Sequence, residues 1–263
     1  MSEALRPKPP LYTKWIFAFT LILLYLPIGM MMVNSFLNNE GFTLEWYEAI
    51  FQDNELIESL LRSLIVSFSA GAVASVIGTL GAIALLRSQS ILKEYLEFFS
   101  TVSLILPELV FALSLLSWFF ILKLDLSLFT VIIAHVTFTI SFVMLTVGAR
   151  LSSLDISIED AARDLGANDL IVLWKVILPL LKPAIVTGFI LSFLISFDDF
   201  LITFYTNGLG SDTLPIKLYS AMKVGLSPKL SALSTLMFLF TLILTVIFFR
   251  TQNVKELIGQ KKN

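Results

Sequence analysis

Long apolar runs separated by short polar segments set the pattern of this chain. Six stretches are apolar over roughly 20 residues, the length needed to cross the hydrocarbon of a bilayer. They lie at approximately 15–33, 64–86, 98–122, 128–149, 184–206 and 230–249. The expected fold class is therefore all-α, a polytopic membrane protein with six transmembrane helices. The first stretch follows Arg6, Lys8 and Lys14, exceeds a signal-peptide core, and is not followed by a small-residue cleavage pattern. It reads as a retained helix. Small residues Ser67, Gly71, Ala74, Gly78 and Gly81 recur at steps of three and four in the second stretch. Such a stripe lets another helix backbone approach closely.

Composition agrees with lipid as the solvent. Of the 263 residues 57% are hydrophobic and only 14% charged, too little polar surface for a soluble domain of this size. The net charge of −2 and the lack of any Lys/Arg run argue against nucleic acid. With no cysteine, disulfides, zinc–thiolate sites and thiol catalysis are excluded. A single histidine, His135, cannot build a histidine metal site; it reads as a satisfied interhelical residue and stays outside the candidate site. No Gly-x-x-x-x-Gly-Lys-Ser/Thr loop occurs.

Lys and Arg set the orientation. Thirteen of the 18 fall in the N-terminus, 87–97, 150–183 and 250–263, against Arg62, Lys123, Lys217, Lys223 and Lys229 on the other side. Both termini are thus expected in the cytoplasm, with 1–14 as an N-terminal segment, 15–249 as the membrane domain and 250–263 as a tail. The first outer loop is acidic (Glu40, Glu45, Glu48, Asp53, Glu55, Glu58). It fits a face that meets cations and equally an ordinary solvated loop.

The loop 150–183 is more than a connector. Ser157 and Asp160 have the spacing of an approximate capping box, Gly166 stands where a helix would end, and Asn168 or Asp169 could cap a second helix. Pro179 and Pro183 are expected to break the chain before the fifth stretch. The loop thus reads as a helix–turn–helix elbow, either docking a partner or lying on the membrane surface.

Carboxylates inside apolar spans cost roughly 2.5–3.5 kcal/mol each on insertion scales and normally face a bundle interior or a watery cavity. Glu108, Asp198 and Asp199 are such residues. Ser192, Ser196, Asp199, Thr203 and Thr206 follow helical spacing and would share one face. Asp198 would lie about 100° around from Asp199. Glu108, Ser196, Asp198 and Asp199, with Trp46 in the first outer loop, form the candidate cation pathway. Each also has a structural reading: helix-end or interhelical bonding for the aspartates, relief of a proline kink for Glu108, back-bonding for Ser196, an interfacial anchor for Trp46. A proton- or sodium-coupled transporter would use intramembrane carboxylates equally well. No nucleophile–base pair supports an enzyme.

Asp160-Ala161-Ala162, then Gly166, then Leu178-Pro179 resemble the EAA loop of ABC importer permeases, a Glu-Ala-Ala, three residues, Gly, nine residues, Ile-x-Leu-Pro pattern. Asp160 replaces the Glu and Val176 the Ile, both conservatively; Glu159 is out of register. The resemblance extends over Trp46-Tyr47, Leu-Pro-Glu at 106–108, Ala-His-Val-Thr-Phe at 134–138, Ile-Ser-Phe-Asp-Asp-Phe at 195–200, Leu-Pro-Ile-Lys-Leu-Tyr-Ser at 214–220 and Met-Lys-Val-Gly-Leu-Ser-Pro at 222–228. These resemble the PotC-type permeases of spermidine/putrescine importers. The resemblance implies a type I (MetI-like) architecture and a non-enzymatic transport subunit. Asp160, Ala161, Ala162 and Gly166 would couple to an ATPase. The implied partners are a second homologous permease, an ATPase dimer that carries ATP and Mg, and an external polyamine-binding protein. No cofactor is expected on this chain.

Overall fold

The computed structural model describes residues 11–87, 92–225 and 227–251. The expected cytoplasmic segments therefore fall largely outside the described residues: 1–10 of the N-terminal one and 252–263 of the tail. The chain runs α1 (Leu11–Asn34), a two-residue-per-strand hairpin of β1 (Leu37–Asn38) and β2 (Gly41–Phe42), α2 (Glu45–Phe51), α3 (Asn54–Arg87), α4 (Leu92–Ile105), α5 (Glu108–Ile121) and α6 (Leu128–Ser152). Then come α7 (Ser157–Asp164), α8 (Asp169–Val172), a π-helical turn (Leu173–Ile177), α9 (Leu178–Asp198), α10 (Leu201–Thr206), α11 (Leu214–Val224) and α12 (Pro228–Thr251).

Two compact units divide the chain. The first comprises residues up to Asp53 together with Ser220–Leu239. Its α1 carries exposed apolar side chains along its length (Phe17 65%, Leu23 64%), as a helix solvated by lipid requires. The hairpin pairs Leu37 with Phe42, and Phe36 stacks on Phe42 and packs on Tyr47. Lys229 meets Asp53 at 2.8 Å, and Asn34 donates to Ser231 at 3.1 Å.

The second unit, Asn54–Tyr219 and residues from Phe240 on, is built on α3, α6 and α9, with α10 against α5 and α6. The small-residue stripe makes this packing possible. A Cβ added at Gly78 would stand 2.8 Å from Val143 of α6, and one at Gly71 3.1 Å from Phe189 of α9. Ala74, Val143, Val147 and Leu181 fill the buried interior. At one end of the unit Lys217 pairs with Glu55 at 3.2 Å and Asp212 at 3.4 Å, and Arg62 with Glu58 at 2.6 Å. Part of the acidic loop is thereby neutralised by the basic residues expected on the same side. These contacts raise the Lys217 pKa above its usual value, the Glu55 hydrogen bond contributing most.

Several expected boundaries change. Among the described residues, five helices are long and apolar enough to cross a membrane: Tyr12–Asn34, Asn54–Arg87, Leu128–Ser152, Asp169–Asp198 and Pro228–Phe248. The stretch at 98–122 is instead split into α4 and α5 of 14 residues each. Pro107 is the cause: it has no N–H to donate and takes an extended ψ of 128°. The second stretch starts ten residues early, at Asn54, and the fifth ends at Asp198 rather than running to 206. Pro179 and Pro183 do not break the chain. Pro179 directly follows the π turn, in which the Leu178 N–H bonds the Leu173 carbonyl, and the helix from Asp169 runs on through it.

Candidate functional site

The aspartate pair sits at a break in helical structure. α9 ends at Asp198, Asp199 is extended (φ −67°, ψ 129°), and α10 starts at Leu201. Asp199 therefore does not continue the helical face expected for it. Its carboxylate turns inward and accepts the backbone N–H groups of Thr203 at 2.9 Å and Ile202 at 3.3 Å. This caps donors that no lipid could satisfy. The polar stripe stays internal across the break: Ser192, Ser196, Asp199, Thr203 and Thr206 are all buried.

His135 of α6 organises the cluster. Its Nε2 lies 3.2 Å from Asp199 Oδ1 and 2.9 Å from Thr203 Oγ1, and its Nδ1 lies 2.6 Å from Ser196 Oγ. These contacts are satisfied when Nε2–H donates toward Asp199 and the Ser196 hydroxyl donates to Nδ1. The interhelical reading of His135 is thus borne out. What sequence reasoning missed is that this residue positions the buried aspartate. The available signal was small: one histidine, in an apolar span, that had to find partners.

Glu108 opens α5 immediately after the proline break, and its carboxyl faces the same recess as that of Asp199. Asp198 is exposed and accepts from Thr241 of α12, at 3.3 and 3.4 Å to its two oxygens. Glu108, Asp198 and Asp199 line one open recess of about 370 Å³ with Phe138, Ile195, Phe200 and Leu201. Aromatic neighbours hold the two rings: Phe138 lies 5.3 Å from Phe111, and Phe200 4.5 Å from Tyr219. Ser196 does not line the recess. Trp46 belongs to the first unit, where its indole N–H donates to the Leu37 carbonyl at 3.0 Å and ties α2 to the hairpin.

The elbow forms as a helix–turn–helix, with one change at its start. Ser157 is not the cap; it lies inside α7, and Asp155 Oδ1 accepts the Ser157 N–H at 2.9 Å. That bond holds the Asp155 carboxyl below the usual carboxylate range. Gly166 ends α7 with φ +87°, a conformation that needs glycine, and Asn168 caps α8 by accepting the Ile171 N–H. Ala161 is exposed, while Ala162 packs on the buried core. Asp160 projects outward with its side chain 63% exposed, 3.2 Å from Arg163. Glu159, its neighbour, is buried and pairs with Arg87 at the end of α3. Among the described residues no group of three or more His, Asp or Glu could hold a metal ion.

Membrane-crossing helices around an acid-lined recess, joined to a structured elbow, describe a transport subunit. Residues 74–258 match the family of binding-protein-dependent transport system inner membrane components, and the chain belongs to that family. Its relatives sharpen the comparison. It is 35% identical to the spermidine/putrescine transport system permease protein PotC of Haemophilus influenzae, over 91% of this chain and 93% of that one. With PotC of Escherichia coli K12 it shares 36%, over 85% and 87%. With the putrescine permease PotI of the same organism it shares 34%, over 81% and 80%. Among solved structures, a bacterial ABC transporter that imports alginate superposes with a TM-score of 0.68 at 14% identity, over 95% of this chain and 96% of that one. The MetNI methionine transporter does so at 0.60 and 17%, over 77% and 94%. These likenesses establish the fold of an ABC importer permease. Family membership sets aside both the gradient-driven transporter and the enzyme.

Proposed function

We propose that this permease passes linear polyamines, of the spermidine or putrescine class, inward through the recess at Glu108, Asp198 and Asp199. One observation carries the reading: three carboxyls, from the start of α5, the end of α9 and the break that follows it, converge on a cavity whose other walls are Phe138, Phe200, Ile195 and Leu201. A polyamine has that alternation, ammonium groups spaced by methylenes. Carboxylates pair with the ammoniums, and aromatic faces cover the methylenes or attract the charge. Asp198 is the contact most open to substrate. Asp199 shapes the wall, and Glu108 offers a second carboxyl to an ammonium. The names of the PotC and PotI relatives point to the same substrates.

The chain would act with a second homologous permease, an ATPase dimer that binds ATP and Mg, and an external polyamine-binding protein. Both termini would lie in the cytoplasm, where most Lys and Arg fall. ATP-driven closure of the ATPase dimer would move the elbow, seated through Asp160, Ala161, Ala162 and the Gly166 turn, and the helices would rearrange around the recess. Uptake of labelled spermidine by cells carrying the whole importer tests this, comparing native protein with Asp198→Asn at equal membrane abundance. Uptake in native cells that falls at least about tenfold in Asp198→Asn, the loss of one charge-assisted contact, supports the pathway. Native cells that import no polyamine would show the substrate to be wrong. Unchanged uptake in Asp198→Asn would remove the recess from the route.

A further inference from the structure

The elbow is fastened to the membrane helices at more than its covalent joint. Through α8 and the π turn it runs directly into α9. Its first helix, α7, makes a second attachment: Glu159 and Ala162, three positions apart and so on one face, turn inward. Ala162 packs on the core cluster that contains Leu151, Val172 and Ile177, and Glu159 pairs with Arg87. The Glu159 side chain is only 6% exposed and that of Arg87 30%. Arg163 reaches the second Glu159 oxygen at 3.7 Å and Asp169 of α8 at 3.4 Å, contacts that stay within the elbow. Arg87 is the last residue of α3, the helix that packs against both α6 and α9.

Burial decides what this contact can do. An exposed ion pair is weak and slips as its partners move. A carboxylate removed from water cannot leave its cation without a large penalty. Displacing α7 therefore either carries Arg87 along or strands Glu159. The neighbouring acid, Asp160, faces outward and is free of this constraint.

We propose that Glu159 and Arg87 are a positioning pair that makes α3 move with the elbow, so that a displacement delivered at α7 reaches α3 as well as α9. Glu159 thereby has a role separate from Asp160: the outward acid meets the ATPase and the inward one passes the motion on. This inference rests on the elbow being the ATPase seat.

The complete importer in proteoliposomes allows the test, with spermidine uptake and ATP hydrolysis measured on the same vesicles and the ATPase quantified after purification through this chain. The variants are Glu159→Gln, Glu159→Gln with Arg87→Gln, and Asp160→Lys. The doubly neutral variant leaves no buried charge unpaired, so it guards against misfolding. The expected result is that both Glu159 variants keep the ATPase bound and hydrolysing, while uptake per ATP falls about tenfold and to the same extent in each. Native uptake per ATP in the doubly neutral variant overturns the proposal. So does loss of the bound ATPase in Glu159→Gln, which would make the pair a docking element. If instead Asp160→Lys retains its ATPase in full, the seat itself is misassigned, a failure distinct from that of the pair.

Discussion

Two pairs of adjacent acids, Asp198–Asp199 at the recess and Glu159–Asp160 on the elbow, solve one geometric problem in different ways. Neighbouring residues in helical backbone point about 100° apart, so one acid of such a pair can face inward while the other faces out. In each pair one is buried, Asp199 and Glu159, and the other exposed, Asp198 and Asp160. The buried member is held by a basic side chain from another helix. The difference lies in the backbone. Asp199 is extended and stands just before α10, so two N–H groups and the His135 imidazole share its charge. Glu159 lies inside α7 and depends on the guanidinium of Arg87. An acid at a helix break can be satisfied largely by backbone; an acid within a helix needs a cation.

The largest expected effect follows from removing the acid with the most partners. Asp199→Ala uncaps α10 and strands His135 and two amides, at a cost of about 2–4 kcal/mol. Its membrane abundance and thermal unfolding temperature in detergent should fall well below those of Asp199→Asn, whose amide oxygen still accepts. Equal behaviour of the two variants would show that the cap carries no weight. Arg87→Ala comes next, at about 1–3 kcal/mol. That is less than a fully buried pair would lose, because Arg87 is partly exposed and Arg163 remains near Glu159. Thermal unfolding is again the measurement, and the double change with Glu159→Gln should recover part of the loss. The exposed acids should behave oppositely. Asp198→Asn and Asp160→Asn should each stay within about 0.5 kcal/mol of native stability, while uptake drops in the first. A large stability loss in either would break the parallel between the pairs.

Much of this was legible in the sequence, and the rest was hidden for physical reasons. Apolar length located the helices because lipid imposes it, and small-residue spacing marked the face of α3 that packs on α6 and α9. The elbow was readable from Gly166 and Asn168, whose conformations and side chains have few alternatives at helix ends. Glu108, Asp198 and Asp199 stood out because a charge in an apolar run needs a reason. The breaks at Pro107 and Asp199 were harder to see. The apolar pattern continues through both, and at 179 and 183 prolines are accommodated without a break. The long-range partners, His135 to Asp199 and Arg87 to Glu159, were out of reach, since 64 and 72 positions separate them and no spacing rule spans that distance. Ser196 and Trp46 fitted the pattern of pathway residues, yet their polar atoms are engaged by His135 and Leu37.

The smallest expected effect concerns the start of the elbow, where a third acid, Asp155, caps the backbone. It accepts the Ser157 N–H in its ionised form, and this bond holds its pKa below the usual value. For a carboxyl shifted in this direction the stabilisation is complete above the unfolded pKa, about 3.9, and is lost as pH falls through the lower folded value. Across pH 6 to 8 the cap should therefore be constant. Any change in elbow order over that range must come from another group. Hydrogen exchange of residues 156–164, corrected for intrinsic rates, should show equal protection at pH 6 and pH 8. Asp155→Ala should exchange faster at both, whereas Asp155→Asn, still an acceptor, should remain close to native. If Asp155→Asn instead frays the helix as much as Asp155→Ala, the charge near the α7 N-terminus matters more than the hydrogen bond, and Asp155 joins Asp199 and Glu159 as an acid retained for its charge.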